Sequence, residues 1–308
     1  MRERFHWGVR MFVLAATAST QAPAAILVPV TPVQGASLTT VFAINDSDVI
    51  AGSFIGSDGV EHCFFGTVDG NYTTFDAGTG GSEARGISND GHIVGISNSQ
   101  HGTTATQPVF ERLPDGEVLN VSISGGQLFG LAQELNKKNK FAGYYWNTES
   151  STIQGFLGKN GEWKSDVNIS GAQFNGALGI NDKNTIVGLY FLSALHGFVL
   201  SGETVTTVDY PSGKATATIL NGINNNNKVA GQWIDTSGLE HSFLYDAAAN
   251  TFTDIKVKGA SVVRAWAINS AGAVAVSTDI GSYVWCKKAA QCPAGGSKSY
   301  GTARGTPR

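Results

Sequence analysis

Residues 179–190 read GINDKNTIVGLY, and this stretch decides the fold. It holds an apolar residue, a short polar turn and a second apolar run closing on glycine. The same pattern occupies 44–52, 87–95, 135–143, 180–188, 223–231 and, with valine in place of the last glycine, 268–276. The opening residues lie 43, 48, 45, 43 and 45 positions apart. A period of this size marks an array of supersecondary units that bury their faces against one another.

Each copy predicts a β-hairpin. After the apolar residue stand Asn45, Ser88, Asn136, Asn181, Asn224 and Asn269, side chains that bond their own backbone at the start of a turn. Three residues on come Asp48, Gly91, Asn139, Asn184, Asn227 and Gly272, the residue types that tolerate a left-handed backbone. A type I turn followed by one left-handed residue is a common hairpin connection. A second hairpin follows in five copies, with third strands at 62–65, 107–110, 154–157, 196–199 and 241–244. Its partner strands fall at 72–75, 118–121, 163–166, 205–208 and 252–255. Four short strands in about 45 residues is the blade of a β-propeller.

The sixth copy has three strands, ending at Trp285, and an unattached strand at 26–30 precedes the first copy. The reading is therefore all-β: a six-bladed propeller of four-stranded antiparallel blades, the last completed by the N-terminal strand 26–30. Pro29 suits an outermost strand, which can spare an amide. With 42% hydrophobic and 15% charged residues the chain can build a core, and repeats running to 286 leave no room for a second domain.

The termini read differently. Arg2, Arg4 and Arg10 flank the apolar run 11–18, followed by small residues, so 1–24 is expected to be a secretory signal peptide and 25–286 the exported repeat domain. No later stretch reaches the length of a membrane span. Residues 287–308 form a flexible basic tail. Cys286 and Cys292 are expected to form a disulfide just after the last strand, and Cys63 to be a small buried residue. With charges of +5 after Cys286 and +2 in the first ten residues, the repeat region carries about −10, which argues against nucleic acid as a partner.

His62, His196 and His241 occupy equivalent positions, shared by Gln107 and Gln154. Third strands of neighbouring blades stand on the order of 15 Å apart, too far for one metal ion, so each is expected to bond backbone within its own blade. Phe54, Tyr145, Tyr190 and Trp233 are expected in the packing between blades, and Asp76, Asp209 and Asp254 as caps of the outer links. The chain carries no nucleophile elbow, phosphate loop or HExxH motif, and no cofactor or metal site is expected. Variation concentrates in the links between second and third strands, 55–61, 98–106, 146–153, 191–195 and 234–240, which share one face with the outer-to-inner connections. Recognition is expected there, with Asp58, His101, Trp146 and Asp235 as exposed candidates, and with Arg85 and Arg264 at the axial mouth.

The units GINDKNTIVGLY…HGFVL…VTTVDYPSG (179–213) and GINNNNKVAGQW…HSFLY…FTDI (222–255) resemble the HAF family of bacterial extracellular repeats. The His-small-Phe signature is present as His196-Gly197-Phe198, His241-Ser242-Phe243 and His62-Cys63-Phe64. The chain departs from it at Gln107-Pro108-Val109, Gln154-Gly155-Phe156 and Gly281-Ser282-Tyr283, and places Glu134 where other copies have Gly or Ala. The resemblance implies an exported propeller and carries over no activity or catalytic residue. Two functions follow as expectations: a secreted, monomeric, non-catalytic module that binds a glycan or protein through the loop face, or an extracellular carbohydrate-active hydrolase or lyase with carboxylates at the channel mouth.

Overall fold

The computed structural model describes residues 25–97, 108–123 and 130–293. The signal-peptide residues, the 98–106 link with His101, Gln107, and the tail from 294 lie outside them. The chain is all-β apart from one short 3-10 turn. Strand β1 (Ile26–Pro29) precedes six units. The first holds β2 (Leu38–Ile44), β3 (Ile50–Ile55), β4 (Glu61–Gly66) and β5 (Tyr72–Phe75). The second holds β6 (Ser82–Ile87), β7 (Ile93–Ser97), β8 (Val109–Arg112) and β9 (Val118–Asn120), and the third β10 (Gly130–Leu135), β11 (Lys140–Asn147), β12 (Thr152–Lys159) and β13 (Glu162–Val167). The fourth holds β14 (Phe174–Ile180), β15 (Ile186–Phe191), β16 (Leu195–Ser201) and β17 (Thr204–Val208). The fifth holds β18 (Ala215–Ile223), β19 (Lys228–Asp235), β20 (Glu240–Asp246) and β21 (Thr251–Ile255), and the last β22 (Val263–Ile268), β23 (Ala273–Thr278) and β24 (Gly281–Cys286).

Within each unit the strands pair antiparallel in sequence order, and a single parallel bridge, Leu195 to Ala217, joins the fourth and fifth units. β1 pairs antiparallel with β24, with Val28 opposite Val284 and Pro29 opposite Tyr283. The N-terminal strand thus makes a four-stranded sheet of the three-stranded last unit. Cys286, on β24, is bonded to Cys292 with the two Cα atoms 5.6 Å apart. The first residues of the expected tail therefore fold back on the sheet, through the turn Ala289–Gln291. Cys63 is buried and free, its thiol donating to Ser82 Oγ at 3.2 Å.

The turns adopt the backbone read from their residue types. Asp48, Asn139, Asn184 and Asn227 have φ between 55° and 60°, with Gly91 and Gly272 at 90° and 93°. The recurrent glycine has a packing cause. A Cβ on Gly188 would lie 2.0 Å from the Gly176 carbonyl oxygen and 2.8 Å from the Phe198 ring, and the glycines of the other four copies meet the same pair of neighbours. The third-strand phenylalanine lies over the second strand only because no side chain is there. Where the last unit has Val276 instead, the facing residue is Tyr283, which is not fully buried.

The asparagines that open the turns do two jobs. Each Oδ1 holds its own turn, as Asn181 Oδ1 does by accepting the N–H groups of Lys183 and Thr185 at 3.0 Å. Each Nδ2 donates to the carbonyl of the equivalent residue one unit on: Asn45 to Ser88, Asn136 to Asn181, Asn181 to Asn224, Asn224 to Asn269, and Asn269 back to Asn45, at 2.9–3.3 Å. Only the second unit breaks the chain. Ser88 is too short to cross to Asn136, and its hydroxyl bonds Asp90 within its own turn. Ser88→Asn should complete the set and raise unfolding free energy by about 0.5–1.5 kcal/mol, the net worth of one hydrogen bond. An unchanged denaturation midpoint would contradict that reading.

Candidate functional site

Two places gather polar side chains, the axis and the loop face. At the axis, every innermost strand carries a β-bulge at the same position, after Val41, Ala84, Ala132, Ala177, Leu220 and Ala265. A bulge re-aims the extra residue. Phe42 and Trp266 meet edge to face at 5.3 Å, and the Arg85 guanidinium lies 3.9 Å above the Phe42 ring. Gln133 donates across to the Asn221 carbonyl at 3.2 Å, and Asn221 to the Ala265 carbonyl at 2.8 Å. Arg85 was expected at an open mouth. It is instead held inside, stacked on Phe42 and paired with Glu83. Arg264 is likewise engaged, through Nη2 to Glu240 at 3.2 Å.

Glu134 closes the axis. Its Oε2 accepts the N–H of Ile180 at 2.9 Å and of Ile223 at 3.2 Å, so one carboxyl ties three units. Gly179 and Gly222 make room for it, since a Cβ on Gly179 would lie 2.6 Å from Oε2. Burial raises the Glu134 carboxyl well above its ordinary range, outweighing the two backbone bonds that lower it. On the turn side a cavity of about 60 Å³ remains, lined from all six units and by Glu134. Its rim carboxylates are cross-links: Asp46 accepts from Asn89 and Ser270, and Asp182 from Lys137 N and Asn225.

The loop face holds a recurring constellation. In the first unit the Phe54 and His62 rings lie 5.2 Å apart, and His62 bonds Asp76 through Nδ1 at 2.7 Å and Asp58 through Nε2 at 3.2 Å. In the fourth, Tyr190 and His196 are 5.4 Å apart, and His196 Nδ1 lies 3.0 Å from Asp209. In the fifth, Trp233 stacks on His241 at 4.2 Å and on Tyr210 at 4.7 Å; His241 Nε2 bonds Asp235 at 2.9 Å, and the Tyr210 hydroxyl donates to Asp254 at 2.6 Å. Cavities of about 460 and 420 Å³ open beside the first and fifth of these. Each is lined both by the second-to-third-strand side and by the outer-to-inner connection, at Gly35 and Asp58 in one and at Trp233 and Ser261 in the other.

The histidines therefore bond carboxylates rather than backbone: His62 and His196 reach the aspartate that follows the outer strand, 14 and 13 residues on, and His241 reaches Asp235 in the link before it. That spacing was legible and was read as link capping. Gln154 follows the expectation, donating to the Val167 carbonyl at 2.7 Å, and its neighbour Tyr145 is buried. Of the residues singled out in the links, Asp58 and Asp235 join these clusters. Trp146 sits half-buried at the end of β11, opposite Ile153, in the unit that has glutamine for histidine.

The bond to Asp76, with that to Asp58, raises the His62 pKa despite its burial. Its contribution to stability is accordingly complete below the ordinary histidine value near 6.5 and is lost as pH rises through the raised folded value. The His62 ring signals should titrate above about pH 6.5 in an NMR pH series; a midpoint below that would contradict the Asp76 pairing. Asp235 is lowered, chiefly by the bond from His241. Among the described residues no group of three or more His, Cys, Asp or Glu is placed to hold a metal ion.

A four-stranded antiparallel sheet repeated around a filled axis is a β-propeller. No family model and no curated protein matches the chain. Solved structures of similar fold include a gluconolactonase from Xanthomonas campestris, with a TM-score of 0.51 at 10% identity over 87% of this chain and 98% of that one. Others are the β-propeller domain of a protease from Pyrococcus furiosus (0.47, 10%, 81% and 95%) and a lectin from Aleuria aurantia in complex with a fucose disaccharide (0.49, 14%, 86% and 100%). At such identities the likeness is one of fold.

Proposed function

We propose that this chain is a non-catalytic propeller module that binds a glycan through the aromatic–histidine–aspartate clusters of its loop face. The observation that carries this reading is the recurrence of one constellation in three units, beside solvent-open cavities of about 460 and 420 Å³ in two of them. A sugar presents an apolar face and a rim of hydroxyls. An aromatic ring suits the first, and carboxylates fixed by an imidazole suit the second. Several equivalent clusters on one rigid face favour a multivalent ligand, for which avidity multiplies modest single-site affinities.

Three finer readings accompany it. The six units are the six blades of one ring, supported by the asparagine chain that returns from Asn269 to Asn45. The chain belongs with the HAF repeats, supported by its three His-small-Phe triplets. It works outside the cytoplasm, supported by the Cys286–Cys292 disulfide. No helix of the described residues is long and apolar enough to cross a membrane.

Affinity electrophoresis through gels containing single extracellular polysaccharides tests the function, with a reducing-end assay on the same mixtures. Retardation without new reducing ends is expected. Chain cleavage would replace this reading with the hydrolase or lyase, and no retardation by any polysaccharide would refute glycan binding.

A further inference from the structure

The loop-face clusters differ in the sign of one charge, and strand register fixes the position at which they differ. The middle residue of each His-small-Phe triplet faces one residue of the outer strand. Cys63 faces Phe75, Gly197 faces Val208 and Ser242 faces Ile255. The residue that follows is Asp76 in the first unit and Asp209 in the fourth, each bonded to the histidine Nδ1. In the fifth unit it is Lys256, and His241 turns to Asp235 instead.

The two large cavities therefore carry different charge balances. The fifth-unit cavity is lined by Glu240 and Asp254, and each has a cation of its own. Arg264 Nη2 lies 3.2 Å from Glu240, and Lys256 Nζ lies 3.1 Å from Asp254. The first-unit cavity is lined by Asp58 and Asp76, with no lysine or arginine in its wall. Its one basic group is His62, whose Nε2 lies 3.2 Å from Asp58 Oδ2 and whose Nδ1 lies 2.7 Å from Asp76 Oδ1. Even with the imidazole protonated, two carboxylates face one cation. Among the described residues Asp76 Oδ2 has no partner, and the Asp58 and Asp76 side chains are 55% and 52% exposed. The bond from the Val60 N–H, with that from His62, holds the Asp58 carboxyl below its ordinary range, so it stays charged in weak acid. Beside these carboxylates the wall is apolar: Phe75, and Phe54, whose ring lies 5.2 Å from that of His62.

We propose that the first-unit cavity selects a sugar bearing a free ammonium group, a hexosamine whose nitrogen is not acylated; this rests on the reading of the loop face as glycan-binding. An ammonium brings three N–H donors and a positive charge, and Asp58 and Asp76 supply the acceptors and the unmatched negative charge. Hydrogen bonds between charged partners are roughly twice as strong as neutral ones. Acetylation of the nitrogen removes the charge and two of the three donors, so it removes the basis of the preference. The apolar face of the sugar ring rests on Phe54. A uronic acid or a sulfated sugar is rejected, because its anion meets two carboxylates and no lysine or arginine. In the fifth unit both lining carboxylates are already answered by cations, so that cavity carries no such preference.

The test is titration calorimetry of residues 25–308 in weakly acid buffer with two tetrasaccharides of the same linkage, one of glucosamine and one of N-acetylglucosamine. The glucosamine probe should bind on the order of tenfold tighter or more, the worth of a charged hydrogen bond. Asp58→Asn with Asp76→Asn keeps the side-chain shape and the acceptor oxygens, so the fold should hold while the preference vanishes. The repeat region carries about −10 and draws any cation, so a control must remove the same charge elsewhere. Asp115→Asn with Glu117→Gln does so at two exposed positions in the β8–β9 turn on the opposite face, and should leave the preference intact. Equal binding of the two probes, a preference that survives Asp58→Asn with Asp76→Asn, or one lost equally in the control would overturn the inference and leave glycan binding standing. Retardation by neutral polysaccharides with neither probe bound would do the same. No binding of any saccharide would remove the glycan reading and this inference together.

Discussion

Replacing Glu134 by alanine is expected to cost about 2–5 kcal/mol of unfolding free energy, because it orphans two buried backbone donors at about 1–3 kcal/mol each. Those donors are Ile180 N and Ile223 N, which have one acceptor between them, Glu134 Oε2. Alanine also leaves a void at the point where three units meet, and close-packed neighbours relax only partly into such voids. Glutamine separates the hydrogen bonds from the charge, since its amide oxygen can accept both N–H groups. With the Glu134 pKa raised in the fold, the carboxyl's contribution is fully present below the ordinary glutamate value near 4.3 and fades as pH rises through the raised value. Glu134→Gln should therefore gain on the parent protein as pH rises from about 4 to 8, and Glu134→Ala should be the least stable at every pH. Urea denaturation of the three proteins across that range checks both. A glutamine variant as unstable as alanine would show that the charge, not the acceptor, holds the axis.

Deleting residues 25–30 is the second large perturbation. It removes β1, and with it the burial of Val28 and Val30, which sit in the core shared by the first and last units. At about 1.5–3 kcal/mol per buried side chain, that is about 3–6 kcal/mol. The deletion also bares the outer edge of β24, from Tyr283 to Cys286, and an unpaired flat edge is a template for pairing with another chain. The expected result is a lower denaturation midpoint together with concentration-dependent association in size-exclusion chromatography. A monomer with the parent midpoint would mean that β1 is dispensable and that the last unit is complete with three strands.

Most of the fold was legible because the repeat constrains it many times over. One turn pattern read six times gave each strand its partner, and the short last unit pointed to the strand at its other terminus. The axis was not legible. The bulge that lifts Phe42, Arg85 and Gln133 out of register leaves no trace in residue type, since phenylalanine, arginine and glutamine share no property. Arg85 consequently looked like a free cation at a mouth, when an aromatic pair from the first and last units encloses it. The asparagine chain was half legible. That each Asn bonds its own turn follows from local chemistry, but that its other end reaches the neighbouring unit depends on how the sheets are placed. The loop-face clusters failed in the opposite way: the spacing from His62 to Asp76 and from His196 to Asp209 was present in the sequence, and pairing them required only the antiparallel register of third and fourth strands, whereas His241 turns to Asp235 in its own link.

The central claim is that these clusters are where the protein meets its ligand, and Trp233 is the side chain on which it can be tried most directly. The measurement is affinity electrophoresis of the parent, Trp233→Ala and the Phe54→Ala, Trp233→Ala pair through a polysaccharide that retards the parent, with thermal midpoints taken alongside. The account predicts that retardation falls with the first substitution and falls further with the second, while both variants still unfold cooperatively. Folded variants retarded as strongly as the parent would contradict it.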